Sequence, residues 1–289
     1  MTNWTKNSWD IHVHAAPSLF ERWGTAGDLA QACRDAEMVG FVLKFHHGSS
    51  VEIASAINDQ FPELSVYGGV TLNHFVGGLN PYAVETALRL GGKIIWLPTI
   101  HAAEHGKACG CLGGFGFQGS KVKKVPEEGL TILDETLNIS DSVKEILALL
   151  HQQPVVLATG HISSAEIAAL HSYIEANRLD IRLLINHVFF KTPSLTLPQI
   201  KELIRPWVWF ETVYLCISPL VQCTTAEHIA QSLLALPEAN WIMASDSGQA
   251  GNPKSPEALS LFASQLQQHG VSETRLRRML RQAPEALLG

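Results

Sequence analysis

The chain has 289 residues, of which 46% are hydrophobic and 17% charged, and its formal net charge is −6. This composition is that of a globular protein with a core large enough for one α/β barrel. The weakly acidic balance gives no basic field that would attract nucleic acid or anionic lipid, so we expect a small-molecule substrate as the partner.

Several features bear on where the protein is found. The opening segment MTNWTKNSWDIHVH has no apolar run, so we expect no signal peptide. No stretch approaches the roughly 20 apolar residues of a membrane span. The five cysteines are dispersed and odd in number, which favours a cytoplasmic protein with reduced thiols. The aromatic residues Trp4, Trp9 and Trp23 indicate either a homo-oligomer interface or packing across the base of a barrel.

Short apolar segments alternate with amphipathic ones along the chain, as in strands buried on both faces and surface helices. The predicted strands are Trp9–Val13, Phe41–Phe45, Ser65–Leu72, Lys93–Pro98, Pro154–Thr159, Ile181–Asn186, Trp207–Val213 and Trp241–Ser245. The predicted helices are Gly27–Val39, Val51–Phe61, Pro81–Leu90, Asp141–Gln152, Ala165–Asn177, Pro198–Ile204, Thr225–Leu236 and Pro256–His269, with a final helix over Ser272–Gln282. Ser164, Asn80 and Ser255 are the helix start signals.

This alternation predicts a parallel sheet, and eight βα units predict a single (β/α)8 TIM barrel over residues 1–289. An open doubly wound sheet is the alternative, but it would usually carry a glycine-rich phosphate loop after the first strand. This chain has His-Val-His-Ala-Ala-Pro-Ser there instead. Residues 101–140 carry few helix signals and predict either a lid-like insertion above the barrel mouth or a surface loop without a role.

The histidines are placed unevenly along this pattern. Nine of them fall at the ends of predicted strands or just beyond: His12, His14, His46, His47, His74, His101, His105, His161 and His187. In a barrel all strand carboxyl ends open onto one face, which carries the catalytic groups. We therefore expect these side chains to converge in space.

Five residues form a candidate metal site. His12 and His14 alternate on the first strand, so both imidazoles face the same way and can share a divalent ion. His161, His187 and Asp246 end the fifth, sixth and eighth strands. Each residue alone has an ordinary explanation as a helix cap or turn former, but the joint pattern indicates one or two divalent ions. Zinc is the first choice of ion, with manganese, iron or nickel as alternatives.

This set, in this order, resembles the amidohydrolase superfamily, and the tail LRQAPEALLG resembles its closing segment. The resemblance covers the whole barrel. It implies a TIM barrel that hydrolyses its substrate with a metal-activated water. The HxH motif lies so close to the amino terminus that we expect no flanking β-sandwich domain. The resemblance is to a little-characterised branch, so no substrate comes with it.

The sequence departs from the superfamily at the residue that bridges two ions. The fourth strand ends Leu97-Pro98-Thr99-Ile100-His101, without the expected lysine or glutamate. Glu104, a little beyond, is one candidate for this role. Lys44 is another, because a lysine in an apolar strand is costly unless paired or modified. It is either carboxylated and bridging, or a cation for a substrate carboxylate or phosphate, or extended into solvent.

The expected reaction is hydrolysis of an amide, lactone, ester or phosphoester. Asp246 accepts the proton of the attacking water, and Lys44 is the second catalytic candidate. The same ligands would serve a metal-assisted decarboxylase or deaminase, and a non-catalytic metal-binding barrel is the third hypothesis. The candidate substrate-binding residues are Arg22, His47, Asn73, His101 and Glu211. Cys109, Cys111 and His105 suggest a second zinc site in the insertion that lacks a fourth ligand.

Overall fold

The structure, a computed structural model, describes residues 3–115, 121 and 123–289. Within these ranges the strands are β1 (Trp9–Val13), β2 (Gly40–Leu43), β3 (Ser65–Tyr67), β4 (Gly69–Thr71), β5 (Ile94–Trp96), β6 (Val156–Ala158), β7 (Arg182–Ile185), β8 (Val208–Val213) and β9 (Asn240–Ala244). Each strand pairs in parallel with its neighbours in sequence, from β1 to β3 and from β4 to β9. The predicted (β/α)8 barrel is confirmed.

One predicted strand, Ser65–Leu72, is divided into β3 and β4 at Gly68. The side chain of Ser50 packs at this break, donating to the carbonyl of Leu43 and accepting from the amide of Gly69. A Cβ atom on Gly68 would lie 2.5 Å from the carbonyl oxygen of Ser50, so only glycine allows this approach. Together β3 and β4 occupy one strand position of the barrel.

Backbone hydrogen bonds join the two ends of the strand series. The amide of Asp246 donates to the carbonyl of His12 at 2.9 Å, and the amide of His14 donates to the carbonyl of Ser247 at 2.8 Å. The segment after β9 therefore lies beside the end of β1. Residues that are more than 230 positions apart in sequence are neighbours here.

The helices are α1 (Ala26–Asp35), α2 (Val51–Gln60), α3 (Pro81–Arg89), α4 (Ala103–Cys109), α5 (Asp141–Leu150), α6 (Ser164–Ala176), α7 (Leu197–Leu203), α8 (Ala226–Ala235), α9 (Ser255–Gln268), α10 (Glu273–Leu280) and α11 (Gln282–Leu288). Asn80 caps α3 as predicted. The cap of α6 is Ser163 rather than Ser164, because its hydroxyl and the carboxylate of Glu166 form a reciprocal capping box. None of the helices in the described ranges has the length and apolar character needed to cross a bilayer.

An irregularity in the pairing of β1 with β2 determines which way the side chains of β1 point. The register shifts between Asp10 and Val13. Ile11 packs in a buried cluster with Trp96, whereas Val13 packs in the larger cluster that includes the helix side chains. Such shifts turn the side chains that follow them, and here His12 faces the pocket at the barrel mouth.

The insertion that was predicted over 101–140 contains α4, which was not predicted. The helix is only seven residues long and has no side-chain cap. It is held by tertiary contacts instead, since the amide of Ala103 donates to the carbonyl of Leu130 and the amide of Leu130 to that of His101. Residues 116–120 and 122 of the predicted lid lie outside the described residues.

Candidate metal centre

Three side chains from the two ends of the sequence meet at the barrel mouth. Nε2 of His14 lies 3.1 Å from Oδ1 of Asp246, and Nε2 of His12 lies 3.4 Å from the same oxygen. One ligand atom from each residue falls within 4.8 Å of the other two, and all three residues are buried. The structure thus brings together the predicted HxH pair and the carboxylate that follows the last strand.

The hydrogen bond on the far side of His14 fixes which ring nitrogen carries a proton. Nδ1 lies 2.8 Å from the carbonyl oxygen of Lys44, which only accepts, so Nδ1 must donate. Burial, with the nearby charge of Arg22, lowers the pKa of His14 well below its ordinary value and keeps the ring neutral. Its Nε2 therefore presents a lone pair towards Asp246.

His12 is held in the same way by a carboxylate. Its Nδ1 lies 3.2 and 3.1 Å from the two side-chain oxygens of Glu211, so this nitrogen donates as well. In the neutral ring Nε2 then carries a lone pair, and it lies 3.2 Å from Nζ of Lys44. An outer acceptor on each imidazole is the usual arrangement around a metal-binding histidine.

The acceptor atoms that converge at this site are those that a cation needs as ligands. Two imidazole lone pairs and a carboxylate oxygen converge with no proton of their own between them, and the ammonium of Lys44 hydrogen-bonds to Nε2 of His12 alone among these three groups in the described residues. Two acceptors at 3.1 Å repel each other unless a cation lies between or beside them. The donor set, two imidazoles and one carboxylate, suits zinc and other divalent transition metals.

Glu211 lies behind His12 rather than among the residues that line the pocket. It accepts from the side chain of Asn186 at 3.0 Å and from the amide of His187 at 2.9 Å. Burial would raise its pKa, but the electrostatic interaction and hydrogen bond with His12 outweigh this, so the pKa of Glu211 is lowered. Glu211, expected to contact substrate, instead orients His12 and the turn after β7.

The other two predicted ligands line the pocket but stand apart from the tight group of three. The ring centroids of His161 and His187 are 5.0 Å apart. Nδ1 of His161 lies 2.8 Å from Nδ1 of His105 in the insertion. Both ring nitrogens of His187 are buried without a hydrogen-bond partner among the described residues, and burial lowers the pKa of this histidine to about 4.

Two cationic side chains also line the pocket. Lys44 is fully buried, which contradicts the alternative that it extends into solvent. Burial lowers its pKa to about 8, against the opposing effect of Asp246 and Glu211. Arg22 lies on the loop after β1, where burial lowers its pKa to about 10. Both cations therefore lose part of their hydration beside the metal ligands.

The remaining predicted substrate residues lie outside this pocket. Asn73 is fully buried, and its side chain bridges the backbone of His46 and Thr99, so it fastens neighbouring strand ends. His47 stacks on Phe45, with ring centroids 5.0 Å apart.

His101 accepts from the amide of His74 at 3.1 Å and lines a separate pocket with Phe75 and Lys124. Glu104 lies in the first turn of α4, outside the metal pocket. Cys109 and Cys111 contact His105 and Gly114 but do not join a ligand group among the described residues.

His46 was expected to converge with the other histidines, whereas Gln249 and Asp10, which also build the site, were missed by sequence reasoning. His46 stacks on His14 with ring centroids 4.8 Å apart, and Gln249 donates to the carbonyl of Asp246. Asp10 accepts from the amide of Ser245 and the hydroxyl of Ser255, so it joins β1 to β9 and α9. The wall of the pocket is completed by Phe115, Phe190 and Leu215.

Backbone conformation at the site is strained. His187 has φ +27° and Asp246 has φ +52°, and both are non-glycine residues in the left-handed region. Gly248 follows closely, and a Cβ atom there would lie 2.1 Å from the carbonyl oxygen of His14. Such conformations cost about 1–3 kcal/mol each and persist where the surrounding structure holds them, commonly at functional sites.

One protein family matches this chain over residues 7–211, and it is described as "Family of unknown function (DUF6282)". The chain belongs to this family. The part that matches DUF6282 includes His12, His14, Lys44 and Glu211, whereas Asp246 lies beyond it. No curated protein matches the sequence.

Solved structures establish which fold this DUF6282 chain has. Over 98% of its length it is similar to an enamidase described as a new member of the amidohydrolase superfamily, with 10% identity, 67% of that chain covered and a TM-score of 0.54. A dihydroorotase is similar over 98% of this chain and 69% of its own, with 9% identity and a TM-score of 0.55. An inactive dihydroorotase-like domain of a Chaetomium thermophilum CAD-like multifunctional protein is similar over 98% of this chain and 79% of its own. The identity is 13% and the TM-score is 0.59. At these identities the likeness shows the fold alone, which is the barrel that these structures share.

Proposed function

We propose that the protein is a metal-dependent hydrolase acting on a small molecule with an amide, lactone, ester or phosphoester bond. The observation that carries this proposal is the convergence of two imidazole lone pairs on the carboxylate of Asp246, 3.1 and 3.4 Å away. One of the structures with a similar fold is an inactive domain, so the barrel alone does not imply turnover. The proposal therefore rests on this donor set.

His12, His14 and Asp246 would hold the ion, with His161 and His187 at the pocket wall as further donors. A divalent cation bound there would supply a water of lowered pKa and polarise the scissile bond. Zinc is the ion we expect, because imidazole and carboxylate ligands in a compact, buried set suit it well.

Asp246 would move the proton. Its Oδ1 faces the imidazoles, while Oδ2 makes no hydrogen bond within the described part of the chain. This second oxygen is available to accept a proton from the attacking water and to pass it to the leaving group. The backbone of Asp246 is fixed by the hydrogen bond from its amide to the carbonyl of His12 and by the hydrogen bond that Gln249 donates to its carbonyl.

Lys44 and Arg22 would bind an anionic part of the substrate. Both line the pocket beside Asp246, and each is less hydrated than an exposed side chain. A carboxylate or phosphate would restore the interactions that they lose on burial. The pocket leaves little free space between its lining side chains, which favours a compact substrate.

The proposal is tested with metal-reconstituted protein against a panel of lactones, amides, esters and phosphoesters, with and without a carboxylate or phosphate group. We expect turnover of at least one anionic member, and a loss of at least about 100-fold in the Asp246→Asn variant. Turnover that survives this substitution would show that Asp246 does not carry the proton. Metal bound without turnover of any member would contradict the hydrolase assignment.

A further inference from the structure

The insertion after β5 supplies a side chain that contacts the metal pocket from outside. His105 lies on α4 and is buried, and its ring stacks on that of His161 with centroids 4.9 Å apart. The two Nδ1 atoms are 2.8 Å apart. One of these nitrogens must donate and the other accept, and the second nitrogen of His105 decides which.

Nε2 of His105 lies 2.8 Å from the carbonyl oxygen of Gly114, which only accepts. This nitrogen therefore carries the proton of the neutral ring. Nδ1 of His105 is then an acceptor, and Nδ1 of His161 donates to it.

The proton on Nδ1 of His161 leaves its Nε2 with a lone pair. His12 and His14 show the same pattern, in which an outer acceptor holds Nδ1–H and Nε2 is offered to the site. Cys109 agrees with this assignment, because its thiol, with Sγ 3.7 Å from Nδ1 of His105, is a weak donor to a nitrogen that accepts.

We propose that His105, itself oriented by the carbonyl of Gly114, is a positioning residue that fixes the Nδ1–H tautomer of His161 and presents its Nε2 lone pair to the metal pocket. The insertion thus contributes to metal affinity without providing a ligand. This inference rests on the proposed function insofar as it makes His161 a third imidazole ligand. The tautomer itself is independent of any metal.

Two substitutions separate this role from packing of the insertion. In His105→Asn the amide oxygen takes the place of Nδ1, so the variant keeps the acceptor for His161 and loses the contact with Gly114. In His105→Gln the amide nitrogen takes the place of Nε2, so it keeps the contact with Gly114 and loses the acceptor. If His105 only packs the insertion, the glutamine variant should have the higher zinc affinity of the two. Our proposal predicts the higher zinc affinity for the asparagine variant.

The first measurement is zinc affinity by chelator competition. We expect His105→Gln to weaken binding by about 10–100-fold, the usual effect of removing an outer partner of a ligand. His105→Asn should stay within about fivefold of the wild type on the same grounds. Equal affinity of wild type and glutamine variant, or the reverse order of the variants, would overturn the proposal.

The second measurement is the ¹⁵N shift of the His161 ring in metal-free wild-type protein. We expect the proton on Nδ1, and its transfer to Nε2 or a mixture of tautomers in His105→Gln. A proton on Nε2 in the wild type would refute the proposal even if zinc binds. If the wild type binds no zinc, the proposed function fails, while this experiment still decides the position of the His161 proton.

Discussion

Nε2 of His14 and Oδ1 of Asp246 lie 3.1 Å apart although neither atom brings a proton to the contact. The proton of this imidazole is on Nδ1, where the carbonyl of Lys44 accepts it. The contact joins the end of β1 to the segment after β9, so the meeting of the first and last strand ends and the metal site depend on the same residues.

Glu211→Gln should weaken zinc binding by about 10–100-fold, because the amide places a donor opposite Nδ1–H of His12 and drives the imidazole proton to Nε2. Chelator competition measures the change. Glu166→Gln is the matched control, since this buried carboxylate accepts from the amide of Ile132 and does not line the pocket. Unchanged zinc affinity in the Glu211 variant would show that this carboxylate does not orient His12.

Lys44→Met should leave the free energy of unfolding unchanged or raise it, because burial of the ammonium is unfavourable and lowers its pKa to about 8. Turnover of an anionic substrate should fall about 100-fold. Lys93→Met, at the other end of the barrel beside Tyr67, serves as the control. Metal content decides between the two remaining roles of Lys44. It stays constant if the side chain is a cation and falls from two ions to one if it is a carboxylated bridge.

Gly248→Ala should destabilise the protein by about 3 kcal/mol or more and lower its zinc content, because the new Cβ would meet the carbonyl oxygen of His14 at 2.1 Å. Gly251→Ala is the control in the same loop. Its φ is +89° with nothing within 4 Å of the added atom, so only the backbone strain of about 1–2 kcal/mol applies. Urea denaturation and metal analysis measure both effects. Equal losses in the two variants would contradict the close approach.

Acid should destabilise the fold through its buried neutral histidines. Burial lowers the pKa of His101 to about 4, so the unfolded chain binds a proton first as the pH falls. The stability it contributes is present above pH 6.5 and is lost as the pH falls from 6.5 to 4. His101→Asn keeps an acceptor for the amide of His74 and does not titrate.

Between pH 7 and pH 4.5 the wild type should therefore lose about 1–3 kcal/mol more unfolding free energy than His101→Asn. Denaturant titrations at the two pH values measure this difference. The exposed His228, changed to asparagine, provides the comparison. Identical losses in the wild type and His101→Asn would mean that His101 is already charged in the folded protein at pH 4.5.

The barrel was predictable because each strand is a short apolar run of its own. β1 was predicted to the residue, and the other strands differ mainly at their ends, where hydrogen bonding rather than composition sets the limit. The break at Gly68 was not predictable, because it depends on a tertiary contact with Ser50. α4 was missed for a similar reason, since its stability comes from pairing of the insertion with Leu130.

Part of the candidate site also followed from the sequence. Polar residues at strand ends must converge in a barrel, and this rule found His12, His14 and Asp246. The same rule could not separate residues that face the pocket from those that lie behind it, such as Glu211. Lys44 and Glu211 were identified because each is a charged residue within an apolar strand. Asp10 shows the same pattern in β1 and could have been identified in the same way.

The most direct test of the account is the position of a bound metal. We predict that crystals grown with zinc give an anomalous peak at the zinc edge within about 2.3 Å of Nε2 of His12, Nε2 of His14 and a carboxylate oxygen of Asp246. The peak should disappear in His14→Phe while the barrel stays intact. Zinc-saturated crystals with no peak at this position, or with the ion held by other residues, would contradict the account.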